Sequence, residues 1–131
     1  MAEFQKRRKG ALVMVEVDEL IERLDQNQNI DRVRLDILNL ISKCLNDLRG
    51  TFGCWEKEHM AKAIVFLSYN FSSHPSSTFW LRTSLSYVEK AFSPPEMRSE
   101  NVRFSEECDS LTLEQLVADV QKLGALTLPT Q

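Results

Sequence analysis

The sequence predicts an all-α protein, a single-domain bundle of four to five helices with short loops. Three observations carry that prediction. Apolar residues recur at helical spacing along most of the chain. Only four Gly and four Pro punctuate the 131 residues, too few for a turn-dense all-β protein or a disordered chain. The length suits one core, since size scaling gives a folded surface of about 7,000 Å² against about 22,000 Å² unfolded, so that about two-thirds would be buried. The expected organisation is a flexible basic arm over 1–10, a helical domain over 11–124 and a frayed tail over 125–131.

Each helix has its own local signal. Val13, Val17, Leu20, Ile21 and Leu24 share one face, with Glu16, Glu19, Glu22 and Arg23 opposite, which predicts a helix over about 11–26. The alternation of Val13, Val15 and Val17 would also suit a short strand. Asn27, Gln28 and Asn29 form a polar break, after which Asp31 is positioned to cap a helix over 32–49 by accepting from its first amides. Its apolar stripe (Val33, Ile37, Leu40, Ile41, Cys44 and Leu48) is widened by Leu35, Leu38 and Leu45, and Gly50 supplies a stop.

A third helix is expected near 54–71. From Met60 to Phe71 only Lys62, Ser68 and Asn70 are not apolar, which predicts the most buried element of the fold. A Ser-rich loop containing His74 and Pro75 separates it from a fourth helix over 77–92. That helix carries Leu81, Leu85, Val88 and Phe92 on one stripe, and Trp80, Ser84, Tyr87 and Ala91 on the next. Ser93-Pro94-Pro95-Glu96 reads as the start of a short helical turn, and 105–110 as an acidic linker. A last helix begins with a capping box in which Thr112 caps, Gln115 reaches back and Leu111 staples onto Leu116. Leu113, Leu116, Val117, Val120 and Leu123 form its apolar face, and Gly124 is expected to end it.

Charge and cysteine content narrow the function classes. The formal net charge of -3 excludes a wholesale basic coat for nucleic acid. It divides into +3 over residues 1–10, -2 over 11–95 and -4 over 96–131. The basic start precedes an apolar run of only five residues, 11–15, too short for a signal peptide, and no window approaches a membrane span. Three cysteines, Cys44, Cys54 and Cys108, without CxxC spacing favour reduced, packed thiols. The expected location is cytoplasmic.

Catalytic, cofactor and metal signatures do not emerge. The chain has no GxGxxG, Walker loop, GxSxG or HExxH. Cys54, Glu58 and His59 fall short of the four ligands of a structural zinc site, and Cys54 and His59 point to different helix faces. Asp18, Glu19, Glu22 and Asp25 form a solvated acidic face without a matching second cluster. No enzyme activity, cofactor or metal is therefore expected.

The informative feature is aromatic. Trp55, Phe66, Tyr69, Phe71, Phe79, Trp80 and Tyr87 crowd the third and fourth helices. Most serve a core, but the stripes are wider than a minimal bundle needs, and Trp and Tyr are effective interface anchors. The expected function is thus a small non-enzymatic protein-binding module of adaptor, regulator, chaperone or toxin-inhibitor type. Its expected binding residues are Phe79, Trp80, Tyr87 and Trp55, with the acidic stretch 96–119 steering a basic partner and a homodimer as the self-association form. A nucleic-acid regulator using Lys6, Arg7, Arg8 and Lys9 is the alternative, with about four phosphate contacts and a weak salt slope of about -3.6. A pocket for an apolar small molecule between the third and fourth helices is the other.

Overall fold

A computed structural model describes the backbone of residues 2–47, 52–71, 78–93 and 112–126, and side chains from residue 11 through 125 within those stretches. The described residues form five helices and no strand: α1 (Ala2–Asp25), α2 (Ile30–Asp47), α3 (Cys54–Asn70), α4 (Thr78–Ala91) and α5 (Leu113–Leu126). The fold class is all-α.

α1 starts at Ala2, ahead of the expected start near 11, so the backbone carrying Lys6, Arg7, Arg8 and Lys9 is helical. The boundary drawn at residue 10 between arm and domain is not a helix end. Ala, Glu, Gln, Lys and Arg are good helix formers, and a single interior Gly costs only about 1 kcal/mol. The side chains of that basic cluster lie outside the described residues. At the other end Asn27 takes φ 53°, and the amides of Asn27 and Gln28 donate to the carbonyls of Leu24 and Arg23 at 3.0 and 3.1 Å. This is a Schellman stop with Asn in the left-handed position that Gly usually fills.

α2 is capped by Asn29 rather than Asp31: the Asn29 side-chain oxygen accepts from the Arg32 amide at 3.3 Å. Asp31 lies two residues further on, inside the first turn, and pairs with Arg34 at 3.0 Å instead. Glu16–Lys43 at 3.3 Å and Arg23–Asp36 at 2.7 Å then fix α1 and α2 antiparallel, since seven residues forward on one helix meet seven back on the other. At the start of α3 the buried Glu56 carboxylate accepts the Gly53 amide at 2.8 Å. At the start of α5 the Thr112 hydroxyl accepts from the Gln115 amide at 3.1 Å, as expected, but the Gln115 side chain turns forward to Asp119 at 3.0 Å. Gly124 does not end α5, which continues to Leu126. Leu111, Gly50, His74, the turn after Pro94 and the linker 105–110 lie outside the described residues.

α1 and α2, and α3 and α4, form antiparallel pairs; α4 also packs on α1, and α5 lies against α2 and α3. The core runs through Val17, Ile37, Ile41, Met60, Leu67 and Leu85, all fully buried. α2 and α3 each bury seven side chains, all apolar in α2. α3 is the shorter of the two and has the smaller exposed share, as its composition predicts, although Val65 and Tyr69 face outwards. Two polar groups sit inside on defined partners. The Ser84 hydroxyl donates to the Ala63 carbonyl at 2.8 Å, which brings α3 and α4 close through small side chains. Arg34 Nε donates to the side-chain oxygen of the buried Asn70 at 2.7 Å, joining the start of α2 to the end of α3.

The cysteines depart from expectation. Cys44 is a free, buried thiol, its pKa pushed up to about 12 by burial and then by Glu16. Cys54, however, is disulfide-bonded, so the expected set of three reduced thiols is corrected. Since Cys44 is free, a Cys44–Cys54 bridge is ruled out. Spacing along a chain does not reveal which Cα atoms approach within bonding range, and that is why the pattern was uninformative. Cys108 lies outside the described residues. No described helix is long and apolar enough to cross a membrane.

Candidate functional site

Helical spacing sets up the site. On α3, Lys62, Phe66 and Tyr69 fall at i, i+4 and i+7; on α4, Trp80, Thr83, Tyr87 and Lys90 follow the same kind of repeat. Because the two helices run antiparallel, the lysines meet at one end and Tyr69 meets Trp80 at the other.

The rings interlock. Trp80 and Tyr87 stand two turns apart, about 10.5 Å along α4. Phe66 enters the slot between them, its centroid 5.7 Å from Trp80 and 5.3 Å from Tyr87, with interplanar angles of 14° and 3°. Tyr69 and Phe79 meet Trp80 edge-on, at 5.0 and 4.9 Å. Each such pair contributes about 0.5–1.5 kcal/mol beyond area burial. Phe66, Trp80 and Tyr87 are half-buried and therefore hold the helices together as well as forming a surface. Phe79 at 62% exposure, Val65 at 46% and Tyr69 at 42% are the outward part of the ridge.

The four residues expected from sequence thus fall into different roles. Phe79 is the most exposed of them, Trp80 and Tyr87 are half-buried rungs, and Trp55 is a tie. The Trp55 indole N–H donates to the Lys90 carbonyl at 2.7 Å, pinning the start of α3 to the last turn of α4. Its ring lies 4.2 Å from that of His59. Val65, Lys62 and Lys90 were missed, although the matching Lys-aromatic repeats on the two helices were there to be found.

His59 is buried beside this end of the ridge. Its Nδ1 donates to the Trp55 carbonyl at 2.8 Å, since a carbonyl can only accept. Burial holds its pKa below the usual 6.5; Lys62 and Lys90 lower it further, while the bond to Trp55 and nearby Glu58 oppose. His59 thus sits as a neutral packing residue, and Cys54, bonded as a disulfide, offers it no thiol. Among the described residues no three His, Cys, Asp or Glu side chains converge as metal ligands. Asp18, Glu19, Glu22 and Asp25 are exposed along α1, and Asp25 is paired with Arg82.

A cavity of about 300 Å³ opens between α1 and α2, lined by Glu16, Glu19, Arg23, Asp36, Asn39 and Lys43 along with Leu20 and Leu40. Its cations are already paired, Arg23 to Asp36 and Lys43 to Glu16. Six of its eight lining residues are charged or polar, and it lies between α1 and α2 rather than between α3 and α4, where a pocket for an apolar molecule was expected. The chain matches no family model, no curated protein and no solved structure.

Proposed function

We propose that this protein is a binding module that docks another protein on the aromatic ridge of α3 and α4. The observation that carries the reading is the cluster of Val65, Tyr69 and Phe79, three large apolar side chains 42–62% exposed, set on a scaffold of stacked rings. Rigid aromatic anchors lose little side-chain freedom on binding and dominate the energetics of interfaces. A single exposed apolar residue is ordinary on a soluble surface; a contiguous group is the mark of an interaction site.

The test uses a photo-reactive benzoylphenylalanine at position 79 in the cells of origin, with the same residue at the exposed Asp18 on α1 as the control. The expected result is a discrete adduct from position 79 that disappears when Val65→Ser and Tyr69→Ser are added. An adduct of twice the chain mass would identify a second copy as the partner. Equal labelling from both positions, or none from 79, would remove the basis for this function.

A further inference from the structure

The charge beside the ridge is positive. Lys62 Nζ lies 5.7 Å and Lys90 Nζ 4.9 Å from the Tyr87 ring centroid, one lysine from each helix. Both lysines are exposed, and neither forms an ion pair with a described carboxylate. Arg23, Arg32, Arg34, Lys43 and Arg82 all have acidic partners within 4 Å, whereas the exposed Lys122 on α5, like Lys62 and Lys90, forms no ion pair with a described carboxylate. Glu58 is the one acidic residue that acts with these lysines on His59. The two ammonium groups converge on one ring from two helices, which concentrates positive charge at this end of the ridge.

We propose that the docked partner segment carries a carboxylate about two helical turns from an aromatic or aliphatic anchor. The anchor seats on Tyr69, Phe79 and Trp80, and the carboxylate lies between Lys62 and Lys90. The spacing follows from α4 itself: Trp80 and Tyr87 are separated by about 10.5 Å, which in a helical partner is an i, i+7 pair. The inference rests on the ridge being the docking face and adds the sign of its partner. This partner is opposite in sign to the basic one expected from the acidic stretch 96–119, a segment that lies mostly outside the described residues. Cations held over an aromatic ring from two helices leave their outer hydrogens for an incoming acceptor, and complementary charge at the rim of an apolar contact governs which partner is admitted.

The probes are two synthetic alanine-based helical peptides, each with Phe at one position and either Glu or Lys seven residues later, titrated into the isotope-labelled full chain. Binding is read from the amide and Trp80 indole resonances. The expected result is binding of the Glu peptide about tenfold tighter than the Lys peptide at low salt, the size expected when two exposed lysines act together. The preference should invert in the double variant Lys62→Glu, Lys90→Glu, while Phe79→Ser weakens both peptides alike. Equal affinity for the two peptides, with Phe79→Ser still weakening both, overturns the carboxylate assignment and leaves the ridge as the docking face. Absence of any shift at Trp80 with either peptide at millimolar concentration, or shifts confined to other helices, overturns both. The dispersed amide spectrum of each variant reports that it has folded.

Discussion

Asn70→Ala tests whether the polar contact between α2 and α3 stabilises the bundle. Asn70 is fully buried and accepts from Arg34 Nε at 2.7 Å. The Arg34 side chain is only 12% exposed; it also pairs with Asp31 at 3.0 Å and lies 5.5 Å from the Phe71 ring centroid. A hydrogen bond to a charged group contributes about 1.5–3 kcal/mol, and a buried donor left unpaired costs a similar amount, so the loss is counted once. Asn70→Ala should therefore cost about 2–3 kcal/mol.

Urea unfolding followed by circular dichroism reads this directly. With a slope of about 1.5 kcal/mol/M, the midpoint should fall by about 1.3–2 M. Both residues make further contacts, so the pair is isolated with a cycle. Arg34→Met keeps the aliphatic stem and removes the charge, and the double variant should be less damaged than the two singles summed, by about 1.5 kcal/mol. Additivity to within about 0.5 kcal/mol would show that the contact carries no coupling, and the reasoning would be refuted.

Three other outcomes follow from the fold. His59 has a lowered pKa when folded, so the unfolded chain takes up its proton first; stability should be greatest above the ordinary value of 6.5 and decline as pH drops from there toward the folded-state value. Thermal melts of His59→Gln across that range should lose this part of the slope, and an unchanged slope would assign it elsewhere. Gly124→Ala should raise stability by about 0.5–1 kcal/mol, because the residue lies within α5 and an added Cβ meets nothing within 4 Å. A lower melting temperature would contradict that. Alkylation of the native chain should spare Cys44 until denaturant is added and spare Cys54 until reductant is added, as peptide mass mapping would show.

Much of the bundle was legible in the sequence, for physical reasons that differ by element. The buried faces of α2 and α5 follow from helical spacing alone: Val33, Ile37 and Ile41, then Leu116, Val120 and Leu123, are buried where the pattern puts them. The Thr112 cap followed from local chemistry. Helix ends were harder, because several residues compete for each role. Asn29 took the cap from Asp31, and α5 ran through Gly124 because a glycine weakens a helix without ending it unless the chain turns left-handed there.

At the candidate site, the prominence of Phe79 was legible from its place beside the Ser-rich loop, off both apolar stripes of its helix, but the duties of Trp55 were not. Its indole bond is to a carbonyl 35 residues away, and no local pattern encodes that. The lysines escaped notice for the same reason: each is unremarkable on its own helix and becomes informative only when antiparallel packing brings both to Tyr87.

The insertion of Phe66 between Trp80 and Tyr87 separates two kinds of change in this surface. Substitutions at 66, 80 or 87 alter the joint between helices, so any change of surface made through them loses folding stability at the same step. Substitutions at 65, 69 or 79 change the more exposed surface and give up edge contacts of Tyr69 and Phe79 with Trp80 rather than the stacked joint, so they cost the bundle less. On the docking role proposed above, new specificity is most accessible through the outer row, with the inner rings serving as a fixed mount on which different contact surfaces can be tried.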